Sequence, residues 1–303
     1  MATLREIKDH IASVRSTLKI TSAMKLVSSA KLRKAQQAAE GIRPYTEALT
    51  RMLAATMANG QGACPSRENA GFDAAVSRSG KSVAIVAVAS NSSLCGAFNV
   101  NVIHKVNEVI SDCRASGEEV EVIPVGRKMA EAMRKEGFVR QEDWSDLVGR
   151  GGIDRSSALA QTLIDAFNAG RYSSVLLIYN HFASTSSQKV TVERYLPFVA
   201  FRQDGSPLLR LSGKPDYILE PSRGEILETL LPMVMRLRIH AVILDSLAAE
   251  HAARMLAMQA ASDNAEDLLA ELTLEYNKGR QQKITSELLD LAAGSGESDR
   301  TAG

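Results

Sequence analysis

The sequence predicts an α/β fold whose two terminal segments pair as a long antiparallel two-helix coiled coil. The first observation is a lack of helix-breaking residues. Residues 3–40 contain no Gly or Pro, and residues 233–293 contain no Pro and one Gly, Gly279. The second is the stretch between them, where short β-branched runs alternate with helical segments, as in a mostly parallel sheet covered by helices. A helix as long as the second run extends roughly 90 Å, so it must project from its domain and needs a partner over its apolar side. The first run is the obvious partner.

The N-terminal helix carries a coiled-coil seam that changes character along its length. Its first half has apolar residues at alternating spacings of three and four, namely Leu4, Ile7, Ile11, Val14 and Leu18. In the same register the next positions are polar: Thr21, Lys25 and Ser28. Beside them, Ile20, Met24 and Val27 form an apolar stripe that is offset from the seam. Two interpretations stay open, a local stutter in the supercoil or a second contact surface for another protein.

The end of this helix contains two breakers. We expect the helix to weaken after Gly41 and Pro44, to resume from Tyr45 and to end at residues 59–60, an Asn-Gly pair. A loop rich in Gly, Pro and Ser follows over residues 60–80.

The middle of the chain predicts three buried strands, one exposed strand and three helices. The buried strands are Ser82–Ala89, Val120–Val125 and Val175–Tyr179, and the alternating, exposed one is Lys189–Leu196. The helices are Asn99–Ser111, Arg127–Lys135 and Ser156–Asn168. An irregular return segment with four prolines occupies residues 197–221.

The C-terminal helix begins with a capping box, since Ser222 is a good N-cap and Glu225 follows three positions later. Pro232 is a candidate kink. Alanines are dense along the seam, which lets two helices approach closely: Ala248, Ala249, Ala252, Ala253 and Ala257. The last turns form an apolar tip typical of a binding surface, made of Ile284, Leu288, Leu289 and Leu291.

Composition excludes several classes of protein. The chain has 303 residues, 45% of them hydrophobic, a net charge of +1, and no apolar run long enough to span a membrane. Its first residues lack a signal-peptide core. Three cysteines without CxxC spacing, Cys64, Cys95 and Cys113, indicate reduced thiols and no zinc site. The N-terminal helix is basic, but it has no aromatic residue before Tyr45 for base stacking, so a contact with an acidic protein cavity is favoured over nucleic acid.

No catalytic or cofactor motif is present. The sequence lacks Walker A, GxSxG and HExxH patterns, and the five histidines are scattered. Cys95 follows the first strand, where α/β enzymes often place nucleophiles, but no histidine has a spacing that marks it as a base. We therefore expect a non-catalytic assembly protein that needs no cofactor. Two alternatives remain: an α/β thiol enzyme with a coiled-coil dimerisation arm, and a rigid, non-rotating adaptor.

Several sequence blocks, in order along the whole chain, resemble the gamma-subunit family of bacterial F-type ATP synthases. The N-terminal blocks are LREIKDHIASV from Leu4 and KITSAMKLV from Lys19, and the middle block is LCGAFN from Leu94. The C-terminal blocks are EHAARMLAM from Glu250, DNA from Asp263, YNKGRQ from Tyr276 and ITSEL from Ile284. The family usually has an acidic residue, a basic residue and Gly before Leu-Cys-Gly, whereas this chain has Asn91, Ser92 and Ser93.

The resemblance implies a rotor. The coiled coil would stand inside a ring of three alpha and three beta subunits, and the α/β domain would contact the epsilon subunit and the c ring. We expect an N-terminal coiled-coil helix over residues 1–60, a Rossmann-like α/β domain over 78–210, a C-terminal coiled-coil helix over 220–293 and a disordered tail over 294–303. The chain would lie at the cytoplasmic face of the bacterial inner membrane as a peripheral protein, associated with the membrane only through the complex.

The resemblance also implies three groups of contact residues. Those expected to contact beta subunits are Thr21, Ala23, Met24, Lys25, Arg280, Gln281, Thr285 and Glu287. The apolar tip of Ile284, Leu288, Leu289 and Leu291 would turn in an apolar collar. Those expected to contact the c ring are Tyr217, Leu219 and Glu220.

Overall fold

The computed structural model describes residues 3–58, 82–138, 142–149, 152–198 and 220–298. Within these ranges the helices are α1 (Leu4–Ala58), α2 (Phe98–Ala115), α3 (Arg127–Lys135), α4 (Ile153–Asn168) and α5 (Arg223–Ser298). The strands are β1 (Ser82–Val88), β2 (Glu119–Val125), β3 (Ser174–Phe182) and β4 (Gln188–Leu196), and Ser145–Leu147 forms a short 3-10 turn. The predicted strands and helices of the middle segment are confirmed, with ends that differ by a few residues.

The chain divides into two compact units. The terminal unit consists of Met1–Val27 with Met255–Gly303, and the α/β unit consists of Ser28–Arg254. Residues of α1 and of α5 belong to both units.

Among the residues that the structure describes, the α/β unit contains a four-stranded sheet in the order β2-β1-β3-β4. Strands β2, β1 and β3 are parallel: Val86 of β1 lies opposite Ile123 of β2 and Leu177 of β3. Only β4 is antiparallel, with Val192 opposite Ile178. The predicted mostly parallel sheet is therefore confirmed, and the exposed, alternating segment is its antiparallel edge strand.

Helices cover both faces of this sheet because alternate residues of the buried strand β1 point to opposite sides. Ala84, Val86 and Val88 pack in a core with α4, the first turns of α5 and the end of α1, where Leu49 and Leu53 are buried. Residues 83, 85 and 87 pack in a second core with α2 and α3. The continuous apolar run from 83 to 88 is thus explained by burial on both faces.

The predicted weakening of the first helix at Gly41 and Pro44 is wrong, since α1 continues through Pro44 to Ala58. A proline inside a helix removes one N–H donor, while the turns on either side keep theirs. Bonds next to it support the helix: Thr46 Oγ1 donates to the carbonyl of Ile42 at 3.1 Å, and Arg43 pairs with Glu47 at 2.7 Å.

The start of α5 confirms Ser222 as the N-cap, with Glu225 bonded to its hydroxyl group. Ser222 Oγ accepts the backbone N–H of Glu225 at 3.3 Å and donates to its carboxylate at 2.9 Å. The helix passes through Pro232 without ending and continues to Ser298, beyond Gly294, where the tail was expected to begin. Residues 299–303 lie outside the described residues.

Gly126 permits the tight junction between β2 and α3. Its φ is +99°, and a Cβ at this position would lie 2.1 Å from the carbonyl oxygen of Ala89. That carbonyl belongs to the residue that follows β1, whose N–H donates to Val125 O at 2.9 Å. A side chain at 126 would therefore push apart the carboxyl ends of two adjacent strands.

We predict that Gly126→Ala lowers the free energy of unfolding of the full chain by roughly 3 kcal/mol or more, because strain at positive φ adds to a steric overlap with backbone. Gly137→Ala is the matched control, since Gly137 has a φ of +88° but open space around its Cβ position. The control measures the cost of placing a side chain at positive φ without a steric overlap, about 1 kcal/mol of unfolding free energy. Equal losses for the two variants in urea unfolding would show that the junction tolerates the added methyl group.

Candidate functional site

Polar contacts hold the seam of the terminal unit. Thr21 Oγ1 lies 2.8 Å from Ser262 Oγ, and both residues are buried. One turn along, Lys25 Nζ donates to Gln259 Oε1 at 2.8 Å. Near the start of α1, the side chain of Leu4 lies 3.1 Å from the position a Cβ would take on Gly279. As residue numbers rise along α1 they fall along α5, so these contacts have an antiparallel order.

The offset stripe of α1 faces solvent. Ile20 is 57% exposed and Val27 is 55% exposed, whereas the neighbouring seam residue Thr21 is 8% exposed. Met24, between them on the stripe, is half-buried. Thr21 and Lys25 contact Ser262 and Gln259 of α5, so the side of α1 that faces α5 is polar here. The local stutter and the second contact surface both stay predictions.

The residues expected to contact a beta subunit on α1 differ in accessibility. Ala23 is exposed, and Met24 and Lys25 are half-buried. Thr21 is buried against Ser262, so it acts in the seam.

The last part of α5 whose side chains the structure describes, residues 280–289, presents a mixed polar and apolar surface. Arg280, Gln281 and Thr285 are exposed, and Thr285 Oγ1 donates to the carbonyl of Gln281 at 2.9 Å. Glu287 is exposed and lies 3.8 Å from Lys283. The apolar tip residues Ile284, Leu288 and Leu289 are all exposed. An apolar cluster in water at the end of a helix is typical of a contact surface. The side chain of Leu291 lies outside the described residues.

The residues expected to contact the c ring fall at the border of the described chain. Tyr217 and Leu219 lie outside the described residues, and Glu220 is exposed just before α5.

Cys95 is buried in a small apolar cluster and does not form a thiol active site. It is 1% exposed and packs with Phe98 of α2 and with Ala249 and Ala253 of α5. Its sulfur lies 3.2 Å from Asn99 Nδ2 and 3.7 Å from Ser90 Oγ. A nucleophile must reach its substrate, so this burial removes the basis for the thiol-enzyme alternative.

The structure reveals a buried ion pair that the sequence analysis missed. Glu250 and Arg254 are 5% and 8% exposed, and Arg254 Nη1 donates to Glu250 Oε1 at 2.7 Å. Burial raises the pKa of Glu250 against the lowering effects of Arg254 and Lys31. Arg254 also donates through Nη2 to Ser92 Oγ at 2.8 Å. The sequence does contain one signal for this ion pair: an acidic and a basic residue four positions apart, within an alanine-rich, apolar run.

His251 sits beside this pair with one ring nitrogen unsatisfied. Its Nδ1 is buried and has no hydrogen-bond partner among the described residues. Burial, followed by repulsion from Arg254 and Lys31, lowers the pKa of His251 to about 4. The ring is therefore neutral in the folded protein at neutral pH.

Two kinds of feature are absent from the described residues. No group of three His, Cys, Asp or Glu side chains there could hold a metal ion. No described helix combines the length and the apolar character needed to cross a membrane.

Comparison with known proteins gives the family. The sequence profile of a family described as ATP synthase matches residues 3–296. The ATP synthase gamma chain of Phocaeicola vulgatus is 45% identical over 297 residues, which cover 97% of this chain and 99% of that protein. The gamma chain of Flavobacterium psychrophilum is 42% identical over 294 residues, with 97% and 98% coverage. The chain belongs to the ATP synthase gamma-chain family.

Solved structures agree on the fold of this gamma chain. A chain in the structure of Euglena gracilis mitochondrial ATP synthase, OSCP/F1/c-ring, matches with a TM-score of 0.63 and 19% identity, over 96% of this chain and 92% of that one. A chain in a second Euglena gracilis structure, described as the rotor, matches with a TM-score of 0.58 and 18% identity, over 93% and 98%. The mixed α/β architecture with a four-stranded sheet and a long C-terminal helix is thus shared with these structures.

The neutral, buried His251 makes the stability of this gamma chain depend on pH. In the unfolded chain the imidazole binds a proton near its ordinary pKa of 6.5, but in the folded protein only near 4. His251 therefore stabilises the fold fully above pH 6.5, and that contribution is lost as the pH falls from 6.5 towards 4.

We predict that His251→Gln reduces the loss of unfolding free energy between pH 7.5 and pH 5, because the variant has no group to protonate at this position. Urea unfolding of the purified chain at both pH values measures the difference. His104→Gln, at an exposed position of α2, controls for the loss of one histidine. If His251→Gln and the unmodified chain lost the same unfolding free energy between the two pH values, His251 would not be the source of the pH dependence.

Proposed function

We propose that this gamma chain is the central rotor shaft of an F-type ATP synthase. It couples ion-driven rotation of the c ring to conformational change, and so to ATP synthesis or hydrolysis, in a ring of three alpha and three beta subunits. The observation that carries the proposal is the antiparallel polar seam, which leaves the apolar stripe and the apolar tip exposed on one pair of helices. Family membership over residues 3–296 supports it.

The shaft is the terminal unit, which forms an antiparallel two-helix coiled coil. The order of the Leu4–Gly279, Thr21–Ser262 and Lys25–Gln259 contacts supports this pairing. The two helices are unequal, with 55 residues in α1 and 76 in α5. An unequal pair presents a different face to each beta subunit as it turns. A shaft can bias the states of a nucleotide site only through such differential contacts.

The α/β unit is a Rossmann-like domain inserted between the coiled-coil helices. Its support is the strand order β2-β1-β3, all parallel with β1 in the middle and helices on both faces. In such folds a glycine-rich turn after the first strand binds nucleotide phosphates. Here that turn is Ser90-Asn91-Ser92-Ser93, without the glycine pattern, so the domain serves as a scaffold that binds no nucleotide cofactor.

The shaft contacts the beta subunits at two levels. At the lower level, Ala23, Met24 and Lys25 face a beta subunit together with the exposed stripe, and Thr21 holds that stripe from the seam. At the upper level, Arg280 and Gln281 hydrogen-bond a loop of one beta subunit, and Thr285 and Glu287 belong to the same contact zone. A guanidinium suits this role because it binds carboxylates with two parallel bonds. The apolar tip of Ile284, Leu288, Leu289 and Leu291 turns in an apolar collar, where few directional bonds hinder rotation.

The α/β unit contacts the epsilon subunit and the c ring. Tyr217, Leu219 and Glu220 meet the polar loops of the c ring. The gamma chain associates with the membrane only through this complex, at the cytoplasmic face of the bacterial inner membrane. It binds no nucleic acid.

We predict that Arg280→Ala lowers ATP hydrolysis by the assembled alpha–beta–gamma complex about ten-fold, the effect expected from losing one or two hydrogen bonds to a charged group. Arg280 is exposed on α5, so its replacement leaves the fold intact. Lys278→Ala is the matched control, because Lys278 is an exposed cation two residues away and therefore on another side of the helix.

The same preparation separates a rotor from a rigid adaptor. A probe fixed to the α/β unit of the immobilised complex should turn in one direction while ATP is hydrolysed. ATP hydrolysis with a stationary probe would support the adaptor instead. Unchanged hydrolysis in Arg280→Ala would remove Arg280 from the coupling contacts while leaving the rotor proposal in place.

A further inference from the structure

Helix α5 is fixed to the sheet of the α/β unit by a series of directional bonds. Tyr195 OH donates to Met235 O at 3.1 Å, and Arg238 binds Glu193 through two nitrogens, at 2.9 and 2.5 Å. Ser156 Oγ lies 2.8 Å from His240 Nδ1, and Asp245 accepts the N–H of Phe182 at 3.0 Å. The last member of the series is Arg254, the final residue of the unit along α5. Beyond it the same helix continues into the terminal unit.

Arg254 binds the loop that follows the central strand β1. Its Nη2 donates to Ser92 Oγ at 2.8 Å and, more distantly, to the Ser93 carbonyl at 3.5 Å. Its Nη1 is held by Glu250, one turn earlier on the same helix, at 2.7 Å. Glu250 thus fixes the direction of the guanidinium, and the guanidinium fixes the loop. We call Ser92, Glu250 and Arg254 the latch.

The loop on the other side of the latch is itself rigidly held. Ser90 Oγ donates to Ser92 O at 2.5 Å, and Ser90 N donates to Asn99 Oδ1 at 3.0 Å. Asn91 donates to the carbonyls of Ser145 and Val148 at 2.7 and 2.8 Å and accepts the Arg127 N–H at 2.9 Å. Leu94 in this loop has a φ of +66°, a conformation that persists only where the surroundings enforce it. A bond from α5 to Ser92 therefore reaches the centre of the sheet.

The apolar contact beside the latch does not fix the rotation of α5 about its own axis. Cys95 and Phe98 pack against Ala249 and Ala253, whose methyl groups give α5 a smooth surface here. Apolar contact is non-directional, so it resists separation of the helix from the loop but offers little resistance to turning of the helix about its own axis. Hydrogen bonds weaken steeply when their angle changes, and a guanidinium fork has a fixed geometry. The latch adds directional resistance to turning at Arg254, the last of the polar contacts that fix α5 to the unit.

We infer that Ser92, Glu250 and Arg254 form a positioning latch that makes α5 and the β1–α2 loop turn as one body, so that rotation of the α/β unit is passed to the shaft without slippage. The inference rests on the proposed rotor function. Ser92 Oγ supplies the acceptor for the Arg254 guanidinium in this loop.

The test uses the complete ATP synthase in inverted membrane vesicles, with the Ser92→Ala variant. Ser93→Ala is the matched control, since Ser93 meets Arg254 only through its backbone carbonyl, which the substitution keeps. Ser92→Thr restores a hydroxyl, and Arg254→Lys keeps the charge beside Glu250 but loses the fork. The measurements are amide hydrogen exchange over residues 91–97, the rate of ATP hydrolysis, and ATP-driven ion uptake reported by a membrane-potential dye.

Ser92→Ala should speed amide exchange of the loop about ten-fold, as expected when a hydrogen bond to a charged group is lost. Ion uptake per ATP hydrolysed should fall while hydrolysis continues, and Ser92→Thr and Ser93→Ala should match the unmodified complex. Faster exchange with unchanged uptake per ATP, or unchanged exchange, would overturn the latch. A failure of the rotor function itself is distinguishable, because the unmodified complex would then show no ATP-driven uptake.

Discussion

The pairing of two helices of opposite direction is the constraint on which the rest of this gamma chain depends. A helix of 76 residues cannot bury its apolar side by itself, and most helical stability in water comes from packing against a partner. The partner is the first part of α1, and the order of the Leu4, Thr21 and Lys25 contacts sets its register. If that register shifted by even one residue, Thr21 and Ser262 would each lose a buried hydrogen-bond partner.

Polar contacts between α1 and α5 leave apolar side chains of α1 exposed to water. In an ordinary coiled coil the apolar residues occupy the seam positions and are buried there. Here Thr21 and Lys25 take seam positions and are satisfied by Ser262 and Gln259, so Ile20 and Val27 remain outside. The same division occurs in the α/β unit, where the small, smooth side of α5 at Ala249 and Ala253 provides close packing and Arg254 provides direction.

Much of the fold could be predicted from the sequence because its signals are local. Breaker-free runs, the N-cap at Ser222 and the β-branched strand from Ser82 each depend on a few neighbouring residues, and each is confirmed. The predicted weakening of α1 at Pro44 is wrong, since a single lost N–H donor does not end a helix that is supported on both sides. The Glu250–Arg254–Ser92 contacts could not be predicted, because 162 residues separate Arg254 from Ser92 and only the tertiary fold brings them together. The burial of Cys95 is of the same kind: its motif marks a position after a strand but not the alanines of α5 that cover it.

The most direct test of this account is a disulfide cross-link between the two terminal helices in the assembled complex. In a chain with its three native cysteines replaced by Ala, the Thr21→Cys and Ser262→Cys pair should oxidise to an intrachain disulfide, because the two side-chain oxygens lie 2.8 Å apart. A Thr21→Cys and Leu274→Cys pair should not, since Leu274 is exposed and about 18 Å further along α5. Cross-linking only of the first pair, read as a shift on a non-reducing gel, is the predicted result. Cross-linking of the second pair but not the first would contradict the antiparallel register on which the rotor rests.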